Sequence, residues 1–103
     1  MRTLEFVVDK QNISKQGDFS GLVAGTKGYL QARFSFSVDW ASYRKGAVFT
    51  CCDGEFAALI EGGVCKVPDE AAACTTFKVH VVGRKSDGSE ITSGRTTIIQ
   101  RRH

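Results

Sequence analysis

The stretch YLQARFSFSVDWASY, Tyr29 to Tyr43, decides the fold class because its side chains alternate between apolar and polar. A period of two that is sustained over ten residues predicts a β-strand with one buried face and one polar face. This pattern is typical of antiparallel sheets. The buried face is expected to hold Leu30, Ala32, Phe34, Phe36 and Val38, and the polar face Tyr29, Gln31, Arg33, Ser35 and Ser37.

Similar but shorter patterns on both sides predict more strands. They lie at Thr3–Val8, Gly46–Cys52, Glu55–Glu61, Val64–Val67, Thr75–Gly83 and, as one strand or two around Gly94, Ile91–Gln100. Asp53-Gly54 and Asp87-Gly88 are hairpin-turn pairs, and Pro68–Cys74 predicts one short helical turn. Without a long helix to cover a sheet, a second sheet must do so. We therefore predict an all-β fold, an antiparallel β-sandwich of about seven strands in a single domain over residues 1–103.

A long connection precedes the central strand. Residues 9–28 carry turn-forming residues and no sustained period, with Ile13, Phe19, Leu22 and Val23 as isolated apolar positions. Connections of this length are uncommon inside a compact domain and are often functional. The segment Gly17–Gly28 is therefore a candidate binding loop.

The net charge limits the class of partner, and the lack of a visible secretory signal or long apolar run indicates the compartment. The formal net charge is only +3, without the basic stripe that nucleic-acid binders carry. No secretory signal is visible, and no apolar run is long enough to span a membrane. We expect synthesis in the cytoplasm of a cell and neither a nucleic-acid nor a membrane partner.

The four cysteines are Cys51, Cys52, Cys65 and Cys74. Thiols in a cytosol stay reduced, and zinc-site spacings such as C-x-x-C are absent from the sequence. Adjacent residues of a strand point to opposite faces, so Cys51 and Cys52 are poorly placed to share a metal. We predict that Cys51, Cys65 and Cys74 are small core hydrophobes and that the protein has no cofactor or metal; a metal site and a disulfide are the alternatives.

No arrangement of residues predicts catalysis. His80 is expected to be a surface residue on the polar side of a strand rather than a catalyst, and His103 is expected to be frayed at the terminus. A dyad of His80 and a cysteine would lack an orienting third group. The acidic pairs belong to a helix start and a hairpin, and Gly21–Gly28 leads into a strand rather than the helix of a phosphate-binding loop.

Trp40 follows Asp39 directly and has two possible roles. The favoured one is a plug that closes an open end of the sandwich, and the alternative is an exposed contact residue. Tyr29 and Tyr43, on either side of it, suit both roles.

Four segments in order resemble a module of bacteriophage and prophage structural proteins from Gram-positive bacteria. They are DFSGLVAGTKGYLQARFSFSVDW (Asp18–Trp40), KGAVF (Lys45–Phe49), CKVPDEA (Cys65–Ala71) and FKVHVVG (Phe77–Gly83). In those proteins the module resembles an immunoglobulin-like β-sandwich at the N-terminus of tail, baseplate or head-fibre proteins. The resemblance implies an attachment or assembly role in a virion.

The expected function is thus non-enzymatic docking onto other phage structural proteins, with homo-oligomerisation as a further possibility. The candidate docking surface comprises Phe19, Leu22, Tyr29, Arg33, Trp40 and Tyr43. Two other functions fit the sequence: a small phage-encoded regulator that inhibits a host protein, and a carbohydrate-binding sandwich, which would need exposed aromatic rings.

Overall fold

A computed structural model describes residues 1–102, so that His103 and the expectation that it is frayed lie outside the described residues. The strands are β1 (Arg2–Asp9), β2 (Asn12–Gln16), β3 (Leu30–Phe36), β4 (Arg44–Cys51), β5 (Gly54–Ile60), β6 (Val64–Lys66), β7 (Thr76–Arg84), β8 (Glu90–Thr92) and β9 (Thr96–Ile99). A 3₁₀ turn, Val38–Trp40, links β3 to β4, and one helical turn, α1 (Asp69–Ala72), precedes β7.

The strands form two sheets that pack face to face, which confirms the all-β sandwich. The first sheet has the order β2-β1-β3-β6. The second has the order β5-β4-β7-β8, with β9 also paired to β7. Every strand pair is antiparallel except β1 and β3, which run parallel, so the expectation of a purely antiparallel sandwich was wrong at this pair.

The parallel pair explains the long connection before β3. A connection between parallel strands needs roughly a dozen residues or more, and here β2 and residues 17–29 together supply it. Residues 17–29 pass the N-terminal end of β1, from β2 on one side of it to β3 on the other. Leu22 and Ala24 are buried as the segment closes this end of the sandwich. Backbone hydrogen bonds with Arg101 hold it there: Ala24 N–H donates to the Arg101 carbonyl, and Arg101 N–H donates to the Leu22 carbonyl.

The core lies between the sheets and follows the alternation read from the sequence. Leu4, Phe6 and Val8 of β1 face Phe49, Phe77, Val79, Val81 and Ile98 of the second sheet. Leu30, Ala32 and Phe34 of β3 are buried as predicted, and Phe6 and Phe34 stack with ring centroids 5.1 Å apart. Arg33 and Ser35 point outward, which confirms the register of the strand.

Three details differ from the prediction. The described part of the chain has nine strands rather than about seven, because β2 lies in the connection that was read as irregular and the last segment divides into β8 and β9. Phe36 is only half-buried, since β3 ends there and the ammonium of Lys45 lies 5.2 Å from its ring centroid. Val38, expected on the buried face, is 85% exposed because the chain has already entered the 3₁₀ turn.

Candidate functional site

The six residues predicted as a docking surface do not form one surface. Trp40 is completely buried and Leu22 nearly so, and both belong to the core. The indole N–H of Trp40 donates to the Lys10 carbonyl over 2.7 Å, which joins the 3₁₀ turn to the β1–β2 hairpin. Trp40 is therefore the end plug, and its assignment to a docking surface was wrong.

Phe19 and Tyr43 are half-buried and packed against the body of the protein. Phe19 makes an edge-to-face contact with Phe6, with centroids 5.5 Å apart. Lys85 places its ammonium 4.7 Å from the centroid of Tyr43. Both rings are thus partly covered by neighbouring side chains.

Tyr29 and Arg33 remain accessible. Tyr29 is 47% exposed at the start of β3, at the end of the sandwich that is opposite Trp40. Arg33 is exposed on the outer face of the first sheet, 3.7 Å from the carboxylate of Glu5. Of the three aromatic rings proposed for a carbohydrate platform, only Tyr29 is exposed, and a single ring forms no stacking face.

The outer edge of β5 is the feature that the docking prediction did not specify. β5 pairs only with β4, and no strand of the described residues 1–102 covers its other side. Its seven residues, GEFAALI, contain neither Lys nor Pro. Leu59 is 57% exposed, and beside it a shallow groove of about 320 Å³ reaches Phe36 and Tyr43.

The other sheet edges in the described part of the chain are shorter or better protected. β2 has five residues with mostly exposed polar side chains, including Lys15. β6 and β8 have three residues each, and β9 has four. Short strands and charged side chains are the usual means by which proteins block unwanted strand pairing, so β5 is the edge best suited to accept another strand.

Three of the four cysteines lie together, which alternation along a strand did not predict. β4 ends at Cys51, and Cys52 lies in the turn before β5, where the rule of opposite faces no longer applies. The Sγ atoms of Cys52 and Cys74 are 3.8 Å apart. The thiols of Cys51 and Cys74 both point to the Glu70 carbonyl, at 4.0 and 3.5 Å.

The thiols differ in their burial and their chemistry. Cys65 and Cys74 are buried, as predicted, whereas Cys51 is half-buried and Cys52 exposed. Burial raises the pKa of the Cys65 thiol to about 12. Hydrogen bonding with the Cys51 thiol, followed by burial and hydrogen bonding with Cys52, raises the pKa of Cys74 to about 12. Both buried thiols are therefore protonated at neutral pH.

His80 lies on the outer face of β7, the side predicted from the sequence, but it is buried there, so the expectation of a surface residue was wrong. It pairs with Val48 of β4, and its Nδ1 has no hydrogen-bond partner among residues 1–102. The charges of Arg95, in the link before β9, and of Glu55, on β5, act on it, and these two side chains lie 3.9 Å apart. Burial first and the Arg95 charge second lower the pKa of His80, and the Glu55 charge opposes them.

No protein-family model matches the chain, and neither curated proteins nor solved structures give a significant match. Among the described residues, no helix has both the length and the apolar character required to cross a membrane.

Proposed function

We propose that this chain is a non-enzymatic assembly module that docks onto neighbouring structural proteins of a bacteriophage or prophage particle. The observation that carries the proposal is the uncovered edge of β5, seven residues long and without a lysine or proline. The particle as the setting rests on the resemblance of Asp18–Trp40 and the three later segments to phage structural modules.

An edge of this kind binds by strand addition. An extended segment of the partner forms main-chain hydrogen bonds with the outer side of β5, and its alternate side chains contact Ala57 and Leu59 on the outer face. Leu59 and the groove beside it supply the apolar contact. A repeating particle multiplies such weak contacts through symmetry.

The edge is tested with one charged substitution and one matched control. Leu59→Lys introduces the residue that proteins use to block edge pairing at a side chain that is already 57% exposed, so the fold is retained. Val38→Lys makes the same chemical change at a residue that is 85% exposed and lies on the 3₁₀ turn, away from β5. The wild type and the two variants are each supplied to a phage strain that lacks the native gene.

The proposal expects the wild type and Val38→Lys at a fixed stoichiometry in purified particles. Leu59→Lys should fold, with an unchanged melting temperature, and be depleted from the particles. If the wild type is missing from particles, the chain is not a virion protein, and the regulatory function gains support. If Leu59→Lys is incorporated like the wild type, docking does not use this edge.

A further inference from the structure

The turn between β4 and β5 and the segment before β7 bring three metal-ligand side chains together, and a fourth thiol, at the end of β4, lies nearby. Cys51, Cys52 and Asp53 are consecutive, and Cys74 comes from the other segment; we call these four residues the thiol cluster. The ligand atoms of Cys52, Asp53 and Cys74 all lie within 4.8 Å of one another. Cys51 is not one of these three, but its thiol points to the same Glu70 carbonyl as the thiol of Cys74.

The distances agree with tetrahedral coordination. With a Zn–S bond of about 2.3 Å, two sulfur ligands of a tetrahedron lie about 3.8 Å apart. The Cys52–Cys74 separation is 3.8 Å. A thiolate and a carboxylate oxygen around the same ion lie about 3.6 Å apart, and Cys52 Sγ lies 3.8 Å from Asp53 Oδ1. A disulfide would instead require the two sulfur atoms to close to about 2.05 Å.

The fold holds both halves of the cluster in place. Gln100, which is buried, donates two hydrogen bonds from Nε2, to the carbonyls of Ala72 and Cys74. These bonds fix the segment that carries Cys74 against the end of β9. Cys52 and Asp53 are exposed, so an ion reaches the site from solvent without any opening of the core.

We propose that the thiol cluster is a binding site for a thiophilic divalent cation, Zn²⁺. Thiolates from Cys52 and Cys74 and a carboxylate from Asp53 are three ligands already close together, and the Cys51 thiolate moves in as the fourth when the ion binds. Three sulfur ligands and one oxygen complete the four positions that structural zinc sites use. The thiol protons are released to solvent when the ion binds, and the bound ion links the β4–β5 hairpin to the segment before β7.

The test uses the full chain, fully reduced and free of metal, with Co²⁺ as a spectroscopic probe and Zn²⁺ as a competitor. One Co²⁺ per chain should bind and give the intense thiolate-to-cobalt charge-transfer absorption, and Zn²⁺ should displace it. Zn²⁺ should also raise the melting temperature. Cys52→Ser, a change at an exposed position, should weaken the affinity for Zn²⁺ by more than ~100-fold, since loss of a ligand exceeds loss of an outer partner.

Cys65→Ala is the matched control, because Cys65 lies on β6 in the other sheet and its removal leaves the thiol cluster intact. It should bind Co²⁺ with the wild-type spectrum and stoichiometry. Three results would overturn the proposal: a reduced wild type that gives no charge-transfer absorption, a Cys52→Ser protein that binds as tightly as wild type, and a folded Cys65→Ala protein that has lost the spectrum.

Discussion

Gly83 on β7 offers a sharp test of how the sandwich is closed around Trp40. A Cβ atom at this position would lie 2.9 Å from Tyr43 Cβ, 3.0 Å from Ile91 Cγ2 and 3.1 Å from Trp40 Cζ3. None of these atoms is the free end of a flexible side chain, so the neighbours cannot move aside cheaply. Gly83→Ala therefore introduces overpacking at the junction of the plug and the second sheet.

Two effects of opposite sign determine how much Gly83→Ala changes the free energy of unfolding. Replacing glycine by alanine in a strand stabilises by about 0.5–1 kcal/mol, because the unfolded chain loses conformational freedom. Overpacking a filled core costs about 1–3 kcal/mol, and three simultaneous contacts place this site in the upper half of that range. The net expectation is a loss of about 1–2 kcal/mol, and each kcal/mol lowers the melting temperature of a domain of this size by about 4–8 °C.

The control is Gly46→Ala on the neighbouring strand β4. Its Cβ would meet only the Ala58 carbonyl oxygen, at 3.5 Å, which is an ordinary contact. This variant should therefore match wild type or gain up to about 1 kcal/mol. Urea denaturation of the three proteins gives the free energies of unfolding. A Gly83→Ala protein as stable as wild type, with an unchanged slope in urea, would show that the Trp40 end is not packed as described.

Further predictions concern the core, the buried histidine and the plug. Phe34→Ala should lower the free energy of unfolding by about 3–5 kcal/mol, whereas Arg33→Ala, on the outer face of the same strand, should change it by less than about 0.5 kcal/mol; equal losses in urea denaturation would contradict the register. The folded-state pKa of His80 lies below 6.5, so the unfolded chain takes up a proton first as the pH falls. Stability should therefore decrease below pH 6.5 until the folded-state pKa is passed, and His80→Gln should flatten this part of a melting-temperature profile. Trp40→Phe should cost at least ~1 kcal/mol through the lost hydrogen bond to the Lys10 carbonyl, with an additional loss from reduced packing; full stability in the same denaturation assay would make that bond irrelevant.

The alternation of β3 was enough to predict a sandwich, because a half-buried strand with no helix nearby requires a second sheet. The same alternation carries no information on which strand lies beside it. The parallel pairing of β1 and β3 therefore stayed hidden, and the crossover was read only as a binding loop. β2 was missed for a related reason: its residues NISKQ are mostly exposed, so Ile13 alone carried the apolar signal.

The candidate sites depend on long-range contacts that a local period cannot reveal. His80 was assigned to the surface from its position on the polar side of β7, yet it is buried, and the charges of Arg95 and Glu55 from distant parts of the sequence act on it. Cys52 was assigned to the face opposite Cys51 as if the strand continued, but β4 ends one residue earlier. The presence of acidic and thiol side chains at the hairpin was visible in the sequence, whereas the approach of Cys74 was not.

The β4–β5 hairpin carries both proposed activities, and they can be separated along its length. Cys52 and Asp53 of the thiol cluster lie in the turn, and β5 begins at Gly54, directly after Asp53. A bound cation would fix the start of the docking edge before a partner arrives, and such preorganisation lowers the cost of binding. Leu59 lies near the other end of β5, with Gly46 of β4 as its cross-strand partner, and it takes no part in the cluster. A Leu59→Lys protein that still binds Co²⁺ therefore isolates the docking edge, and a Cys52→Ser protein that still enters particles isolates the metal site.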